Sequence, residues 1–241
     1  MKEAVISIVM PAYNEEANIE GTVRRCMNTL ALLNLEGEVV VTNDGSRDQT
    51  QSILERLQGE FPNLTVVSHE HNQGYGAGLQ SAMRAAMGDV IVTLDSDGQF
   101  DISELPLFLE LHRQGQQVIS GYRRAKKDSP IRVFANQCLV WLTRAMFGLK
   151  LRDANTAFKL YEAKVIRNLN IESRGYQTPT EIMIKLTTQG LAIGEVGVTH
   201  AHREGGKSAL GLFKTTYAMI MFLIYLRLKI YLYRAKMIHA L

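Results

Sequence analysis

The chain has 241 residues, enough for one α/β domain or for one domain with an appendage. With 46% hydrophobic and 21% charged residues, its composition excludes a disordered or collagen-like protein. The 27 lysines and arginines exceed the 24 acidic residues by only three, which argues against a nucleic-acid-binding protein. Two cysteines, Cys26 and Cys138, cannot build a disulfide framework, and their apolar surroundings predict buried free thiols.

Short runs rich in valine and isoleucine alternate with helical segments over the first half of the chain. The predicted strands are residues 4–10, 38–42, 64–68, 89–94 and 117–120. The predicted helices between them are residues 15–33, 48–58, 76–87 and 102–113. The runs are continuously apolar, which predicts βαβ units and a mostly parallel sheet covered on both faces. Residues 4–10 fit a buried first strand better than a signal peptide, so the catalytic part is expected in the cytoplasm.

The alternation changes after residue 120. A basic loop over residues 121–130 precedes a predicted helix over 131–147, a strand over 155–160, a helix over 180–188 and a strand over 191–199. A polar loop over residues 200–211 then leads into an apolar C-terminal stretch. The pattern predicts one catalytic domain over residues 1–211 and a C-terminal appendage over residues 212–241.

Polar loops follow three of the predicted strands, at residues 11–15, 43–46 and 95–99. In parallel α/β sheets, ligands bind beyond the carboxyl ends of the strands. Asp95 and Asp97 offer hard oxygen ligands that suit Mg²⁺ or Mn²⁺ bound together with a diphosphate, and Gln99 offers a further oxygen. The alternative for this loop is a solvated turn or a helix cap.

The other two loops offer groups for a nucleotide. Asp44 is able to accept hydrogen bonds from a base or ribose, while Tyr13 offers a ring and Glu15 a carboxylate. Turn formation and helix starts are the alternatives for these loops. The glycines of residues 74–78 do not follow the dinucleotide-binding pattern, and no P-loop is present. These two observations argue against a nicotinamide-dependent dehydrogenase and a P-loop phosphotransferase.

These motifs, in this order, resemble those of family 2 glycosyltransferases with the GT-A fold. Within that family the chain is most similar to polyprenyl-phosphate glycosyltransferases of the dolichol-phosphate mannosyltransferase type. The resemblance covers about residues 4–210. Its carriers are residues 11–15, 43–46, 72–74, 95–99, 121–123, 132–136, Asp153, 158–159, Glu181 and 202–208.

The resemblance implies a role for each matching residue. The residues expected to bind the nucleotide sugar are Pro11, Tyr13, Glu15, Asp44, Asp95, Ser96, Asp97, Arg203 and Lys207. Metal binding falls to Asp95, Asp97 and Gln99, and contact with the acceptor phosphate to Arg123, Arg132 and Asn136. The residues expected to act in catalysis are Asp97, Arg123, Arg132 and Arg203. Two positions depart from the family pattern, because Asn43 replaces an acidic residue and Ala209 replaces a lysine, which leaves Lys207 shifted in register.

The expected activity is a metal-dependent, inverting transfer of a sugar from GDP-mannose or a UDP-sugar to dolichyl or undecaprenyl phosphate. A phosphate acceptor is already anionic at neutral pH and needs no general base. A saccharide hydroxyl acceptor, as in cell-surface polysaccharide synthesis, needs a carboxylate base, for which Glu181, Asp153 and Glu204 are candidates. A nucleotide-sugar-binding protein without turnover is the third possibility.

The C-terminal stretch contains ten uncharged residues, 217–226, before Arg227 and Lys229 interrupt it. That run is too short to predict a membrane crossing. Its apolar, tyrosine-rich and basic character instead predicts a helix at the cytoplasmic face of a membrane. The alternatives are packing against the domain or against a second copy in a homo-oligomer.

Overall fold

The computed structural model describes residues 4–124, 130–201, 212–235 and 237, with the backbone alone for residues 130–136 and 212–215. Seven strands form one sheet: β1 Ile6–Ala12, β2 Gly37–Asn43, β3 Leu64–Ser68, β4 Val90–Thr93, β5 Val118–Arg123, β6 Lys159–Glu162 and β7 Ile193–Val198. The first four helices are α1 Ile19–Leu32, α2 Thr50–Glu60, α3 Tyr75–Ala85 and α4 Leu105–Arg113, with a 3-10 turn at Ile102–Glu104. The others are α5 Pro130–Phe147, α6 Ala163–Ile166, α7 Thr178–Thr188 and α8 Leu212–Arg234.

The sheet order is β3-β2-β1-β4-β6-β5-β7. Strand β6 runs antiparallel to its neighbours β4 and β5, and all other pairs are parallel. The prediction of a mostly parallel sheet flanked by helices is therefore confirmed. The predicted strand over residues 155–160 begins four residues and ends two residues too early, since β6 is Lys159–Glu162.

Two apolar clusters cover the faces of the sheet. Because side chains alternate along a strand, Ile8 of β1 enters one cluster and Val9 the other. Helices α1, α2 and α4 pack on the first face, whereas α3, α7 and α8 pack on the second. The α8 residues that join the second cluster are Met219, Leu223, Leu226 and Ile230. One side of α8 is thus part of the core.

The buried-thiol prediction is correct for Cys26 in α1 and wrong for Cys138, which is exposed on α5. The residues around Cys138 are apolar in sequence, but only part of the surface of α5 is buried, and Cys138 lies on the exposed part. Trp141, one turn further along α5, is also 69% exposed. Strong burial raises the pKa of the Cys26 thiol to about 12, so this side chain acts as a small apolar residue.

Candidate active site

The carboxyl ends of β1, β2 and β4 lie side by side, since these strands are parallel neighbours. The first two polar loops touch directly. The backbone N–H of Asn14 donates to Ser46 Oγ at 3.0 Å, and the N–H of Arg47 donates to Asn14 Oδ1 at 2.8 Å. The third loop is linked to α1, because Thr22 Oγ1 donates to the Ser96 carbonyl at 3.2 Å. The three loops singled out in the sequence thus meet at one edge of the sheet.

The first loop holds Tyr13 outward and Glu15 inward. Tyr13 is 39% exposed, whereas Pro11 is buried in β1 and Glu15 is buried with Oε2 accepting from Asn18 Nδ2 at 2.9 Å. The prediction that α1 begins at residue 15 is wrong, since the helix begins at Ile19. Asn14 has a positive φ of 55°, and its contacts with the second loop hold this segment out of the helix.

Asp44 organises the second loop. Its Oδ1 accepts hydrogen bonds from His69 Nδ1 at 2.7 Å and from the Gln73 N–H at 2.9 Å, and Oδ2 accepts from the Gly74 N–H at 2.8 Å. His69 is fixed from the other side by Ser81, with Nε2 and Oγ 2.9 Å apart. The carboxylate is therefore buried and ties the end of β2 to the start of α3. The sequence pattern gave no sign of His69.

The third loop carries the paired carboxylates. Asp95 and Asp97 are both partly exposed, with the buried Ser96 between them. The Tyr75 hydroxyl donates to Asp95 Oδ1 at 3.0 Å, and the Gln99 N–H donates to Asp97 Oδ1 at 3.1 Å. Burial raises the pKa of Asp95 to about 7, and the charge of Asp97 adds to the rise. Burial also raises the pKa of Tyr75, so its hydroxyl stays a donor.

The donor set fits a divalent cation. Two crowded carboxylates repel each other, and a hard cation between them and a diphosphate would relieve that repulsion. Gln99 Nε2 donates to the Ala201 carbonyl at 2.8 Å, which leaves the amide oxygen for a ligand. Among the described residues no three acidic, histidine or cysteine side chains form a complete metal cage. A cation held here would need further oxygen ligands, which a diphosphate could supply.

Arg123 stands at the carboxyl end of β5, where its Nε donates to Asp153 Oδ2 at 2.8 Å. Asp153 is 1% exposed, whereas the Arg123 side chain is 21% exposed, so only the acidic partner is fully removed from water. Next to it, Lys159 of β6 is fully buried, with Nζ donating to Ser120 Oγ at 2.7 Å and to Thr156 Oγ1 at 3.2 Å. Burial lowers the pKa of Lys159 to about 7, while Asp153 opposes this shift. The charge of Arg123 is thus balanced by Asp153, and burial disfavours the charged form of Lys159.

Glu181, a candidate base for a hydroxyl acceptor, does not reach this edge of the sheet as a free carboxylate. It is fully buried in α7 and accepts hydrogen bonds from the Glu172 N–H at 2.9 Å and from the Ser173 N–H at 2.8 Å. Lys185 Nζ lies 2.9 Å from its Oε1. These contacts make Glu181 a structural residue.

Some of the candidate residues lie outside the described part of the chain. Arg203, Glu204 and Lys207 belong to residues 202–211, and the side chains of Arg132 and Asn136 belong to the segment of α5 whose backbone alone is described. Their assigned roles stay predictions. Of the assigned residues that are described, the structure brings Tyr13, Glu15, Asp44, Asp95 and Asp97 to one edge of the sheet.

Comparison with solved structures supports the fold. Glucosyl-3-phosphoglycerate synthase from Mycobacterium tuberculosis, solved with Mn²⁺ and UDP-glucose, has a TM-score of 0.70 and 23% sequence identity. The match covers 93% of this chain and 79% of that one. A structure of the same synthase with Mn²⁺, UDP and glucosyl-3-phosphoglycerate gives a TM-score of 0.70 and 22% identity. The GT-A fold is thus confirmed.

Curated relatives match over most of the chain. An undecaprenyl-phosphate 4-deoxy-4-formamido-L-arabinose transferase from Pectobacterium atrosepticum is 26% identical over 211 residues. A dodecaprenyl-phosphate galacturonate synthase from Rhizobium johnstonii is 29% identical over 213 residues. Each match covers 87% of this chain but only 63% of the relative's length. The family model for glycosyl transferase family 2 matches residues 7–168. The chain therefore belongs to glycosyl transferase family 2.

Proposed function

We propose that the protein is an inverting glycosyltransferase that moves a sugar from a UDP- or GDP-sugar to a polyprenyl phosphate such as undecaprenyl or dolichyl phosphate. The names of both relatives described above support a polyprenyl-phosphate acceptor. The observation that carries the proposal is the burial of Glu181 and Asp153, two of the three carboxylates considered as a base for a hydroxyl acceptor.

A hydroxyl acceptor requires a base within hydrogen-bond reach. Glu181 is committed to Ser173 and Lys185, and Asp153 is 1% exposed and paired with Arg123. The third candidate, Glu204, lies outside the described residues. A lipid monophosphate is an anion with a second pKa of about 6, so it attacks without a base. The enzyme then has to hold two anionic substrates together.

The donor would bind across the three loops at the sheet edge. The exposed ring of Tyr13 would stack on the base, and Pro11, Glu15, Asp44 and Ser96 would contact the nucleotide sugar. Asp95, Asp97 and Gln99 would hold Mg²⁺ or Mn²⁺, which neutralises negative charge on the departing nucleoside diphosphate. Arg203 and Lys207 are proposed to clamp that diphosphate. Inversion follows from a single in-line displacement at the anomeric carbon.

The acceptor phosphate would approach from the β5 side. Arg123 lies at the carboxyl end of β5 with 21% of its side chain exposed, and its Nε is held by Asp153. Arg132 and Asn136 are proposed to complete the phosphate site. The catalytic set of the proposal is Asp97, Arg123, Arg132 and Arg203.

Helix α8 is proposed to bring this domain, residues 1–211, to the cytoplasmic face of a membrane. Among the described residues, Thr216–Arg234 is the one helix long and apolar enough to cross a bilayer, and 22% of it is buried. Its inner side packs on the core, so its outer side is the one available to lipid. The exposed apolar residues of that outer side are Tyr217, Ile220, Met221, Ile224, Leu228 and Tyr231. This arrangement favours a helix lying on the surface.

A transfer assay tests the proposal. Purified protein with Mn²⁺ or Mg²⁺ is given UDP- and GDP-sugars together with a short polyprenyl phosphate, the dephosphorylated alcohol or a saccharide. We expect product from the phosphate alone, and its loss in Asp97→Ala. Asp101→Asn is the matched control, because this nearby exposed carboxylate only caps the 3-10 turn through Ser103.

Other results would redirect the proposal. Transfer to saccharides with none to the phosphate would move the acceptor to a hydroxyl group and would make Glu204 the base to test. Nucleotide-sugar binding without transfer to any acceptor would instead favour a binding protein. Equal loss of activity in Asp101→Asn and Asp97→Ala would remove the special role of the paired carboxylates.

A further inference from the structure

The Tyr75 hydroxyl holds one oxygen of Asp95. Tyr75 is the first residue of α3, and its O–H donates to Asp95 Oδ1 at 3.0 Å. No other hydrogen bond to the Asp95 side chain comes from the described residues. A single donor on Oδ1 restricts rotation of the carboxylate and leaves Oδ2 available to a cation. The geometry of Asp95 therefore depends on where the Tyr75 ring is held.

A segment distant in sequence holds that ring. The ring of Tyr176 stacks on Tyr75 with centroids 5.3 Å apart and an angle of 22° between the planes. The backbone is docked as well, because the Gly76 N–H donates to the Arg174 carbonyl at 2.8 Å. A Cβ at Gly76 would overlap Thr178 Oγ1 and the Ser173 carbonyl, so only glycine allows this approach. The start of α3 and residues 173–176 thus form one unit.

Charged groups anchor this unit to α7 and α8. Glu181 accepts from the N–H groups of Glu172 and Ser173 at 2.9 and 2.8 Å. The Glu172 carboxylate contacts Lys185 of α7 at 2.5 Å, and it contacts Lys229 of α8 at 2.8 Å. The hydroxyl of Tyr225 in α8 also donates to it at 2.6 Å. The segment that carries Tyr176 is therefore fixed at residues 172–173, where it is bound to α7 and α8.

We propose that Tyr75 is a positioning residue that orients Asp95 toward a divalent cation, and that Tyr176 holds Tyr75 in place. The inference rests on the proposed function, which supplies the cation and the diphosphate. Tyr75 touches neither substrate in this account and acts through Asp95 alone. Loss of its hydroxyl should weaken cation binding, whereas loss of a tyrosine hydroxyl elsewhere should not.

The test measures Mn²⁺ binding directly. Free Mn²⁺ is titrated by electron paramagnetic resonance with saturating UDP, with and without protein. In Tyr75→Phe, which keeps the stacked ring, we expect the dissociation constant for Mn²⁺ to rise about tenfold, as a lost hydrogen bond to a charged group implies. Tyr176→Ala should raise it about fivefold through loss of the stack, and Tyr176→Phe should restore it.

Tyr161→Phe is the matched control. Tyr161 is a buried tyrosine of β6 that forms no hydrogen bond with Asp95, so its variant should bind Mn²⁺ like the wild type. If Tyr75→Phe binds Mn²⁺ as tightly as the wild type, the proposed role of Tyr75 is overturned, but the metal site is not. Absence of Mn²⁺ binding by the wild-type protein with UDP would overturn the metal site itself and this inference with it.

Discussion

Gly98 is the residue on which the turn between the two carboxylates and Gln99 depends. Its φ is +74°, a conformation that L side chains rarely adopt, and an added Cβ would lie 2.5 Å from Arg25 Nη2. The arginine tip can swing away, so backbone strain of about 1–2 kcal/mol is the main cost of Gly98→Ala. We expect that strain to move Asp97 and to weaken Mn²⁺–UDP binding, measured by calorimetry.

Gly115→Ala is the control for Gly98→Ala, because it introduces the same kind of backbone strain away from the candidate site. Gly115 has a φ of +92°, and a Cβ there would meet nothing within 4 Å. Both variants should lower the free energy of unfolding by a similar amount in urea titrations. Only Gly98→Ala should weaken nucleotide binding, and equal binding by the two variants would contradict the importance of this turn.

At the scale of elements, Glu172 joins α7, α8 and the segment that carries Tyr176. Burial works to raise the pKa of this carboxyl, but hydrogen bonds from Lys185, Lys229 and Tyr225 outweigh it and hold the pKa at about 2. Because the folded-state pKa lies below the unfolded value, the stabilisation is full above about pH 4.5 and is lost as the pH falls toward 2. Glu172→Gln should therefore lower the free energy of unfolding by about 2 kcal/mol at pH 7.

The pH profile of stability identifies the cause of that loss. The wild type should lose its advantage over Glu172→Gln between about pH 4.5 and 2, as followed by urea unfolding at each pH. Glu162→Gln is the control. Glu162 also forms an ion pair with a lysine, but that lysine, Lys164, is exposed to solvent. A constant difference between wild type and Glu172→Gln across this range would show that packing, and not charge, is responsible.

The strands were predictable because each is a short apolar run with polar residues at its end. Strand β3 was predicted at its observed bounds, Leu64–Ser68, and the alternation of β1 between two cores explains its continuous apolar sequence. The start of α1 was missed because the hydrogen bonds of Asn14 go to another loop. The role of Glu181 was missed for the same reason, since its donors come from residues 172–173.

The sheet topology predicts that the three loops meet at one edge, but it does not predict the hydrogen bonds that hold their carboxylates. Parallel neighbouring strands must bring the loops that follow them to one edge, so Asp44 and Asp95 were placed together from sequence alone. The hydrogen bonds of His69 to Asp44 and of Tyr75 to Asp95 join residues 25 and 20 positions apart. No local sequence pattern predicts such pairs, because they depend on how the helices and strands pack together.

At the scale of the whole molecule, the proposed membrane contact would use the outer side of α8. Ile224 and Leu228 are 52% and 57% exposed on its outer side, while Leu223 and Leu226 are buried in the core. Replacing Ile224 and Leu228 together by glutamate removes apolar surface without touching the packed side. We expect this double variant to lose at least about tenfold in affinity for vesicles of phosphatidylglycerol and phosphatidylethanolamine, measured by co-sedimentation.

Leu32→Glu is the control for the α8 variant. Leu32 is an 83% exposed leucine at the end of α1, on the opposite face of the sheet, so its variant should bind vesicles like the wild type. Light scattering without lipid distinguishes a membrane surface from contact with a second copy. A wild-type dimer that the α8 double variant abolishes would assign the outer side of α8 to self-association. A monomer that binds vesicles only with an intact apolar α8 would instead place the sugar-transfer site beside its lipid acceptor, because α8 and the sheet share one core.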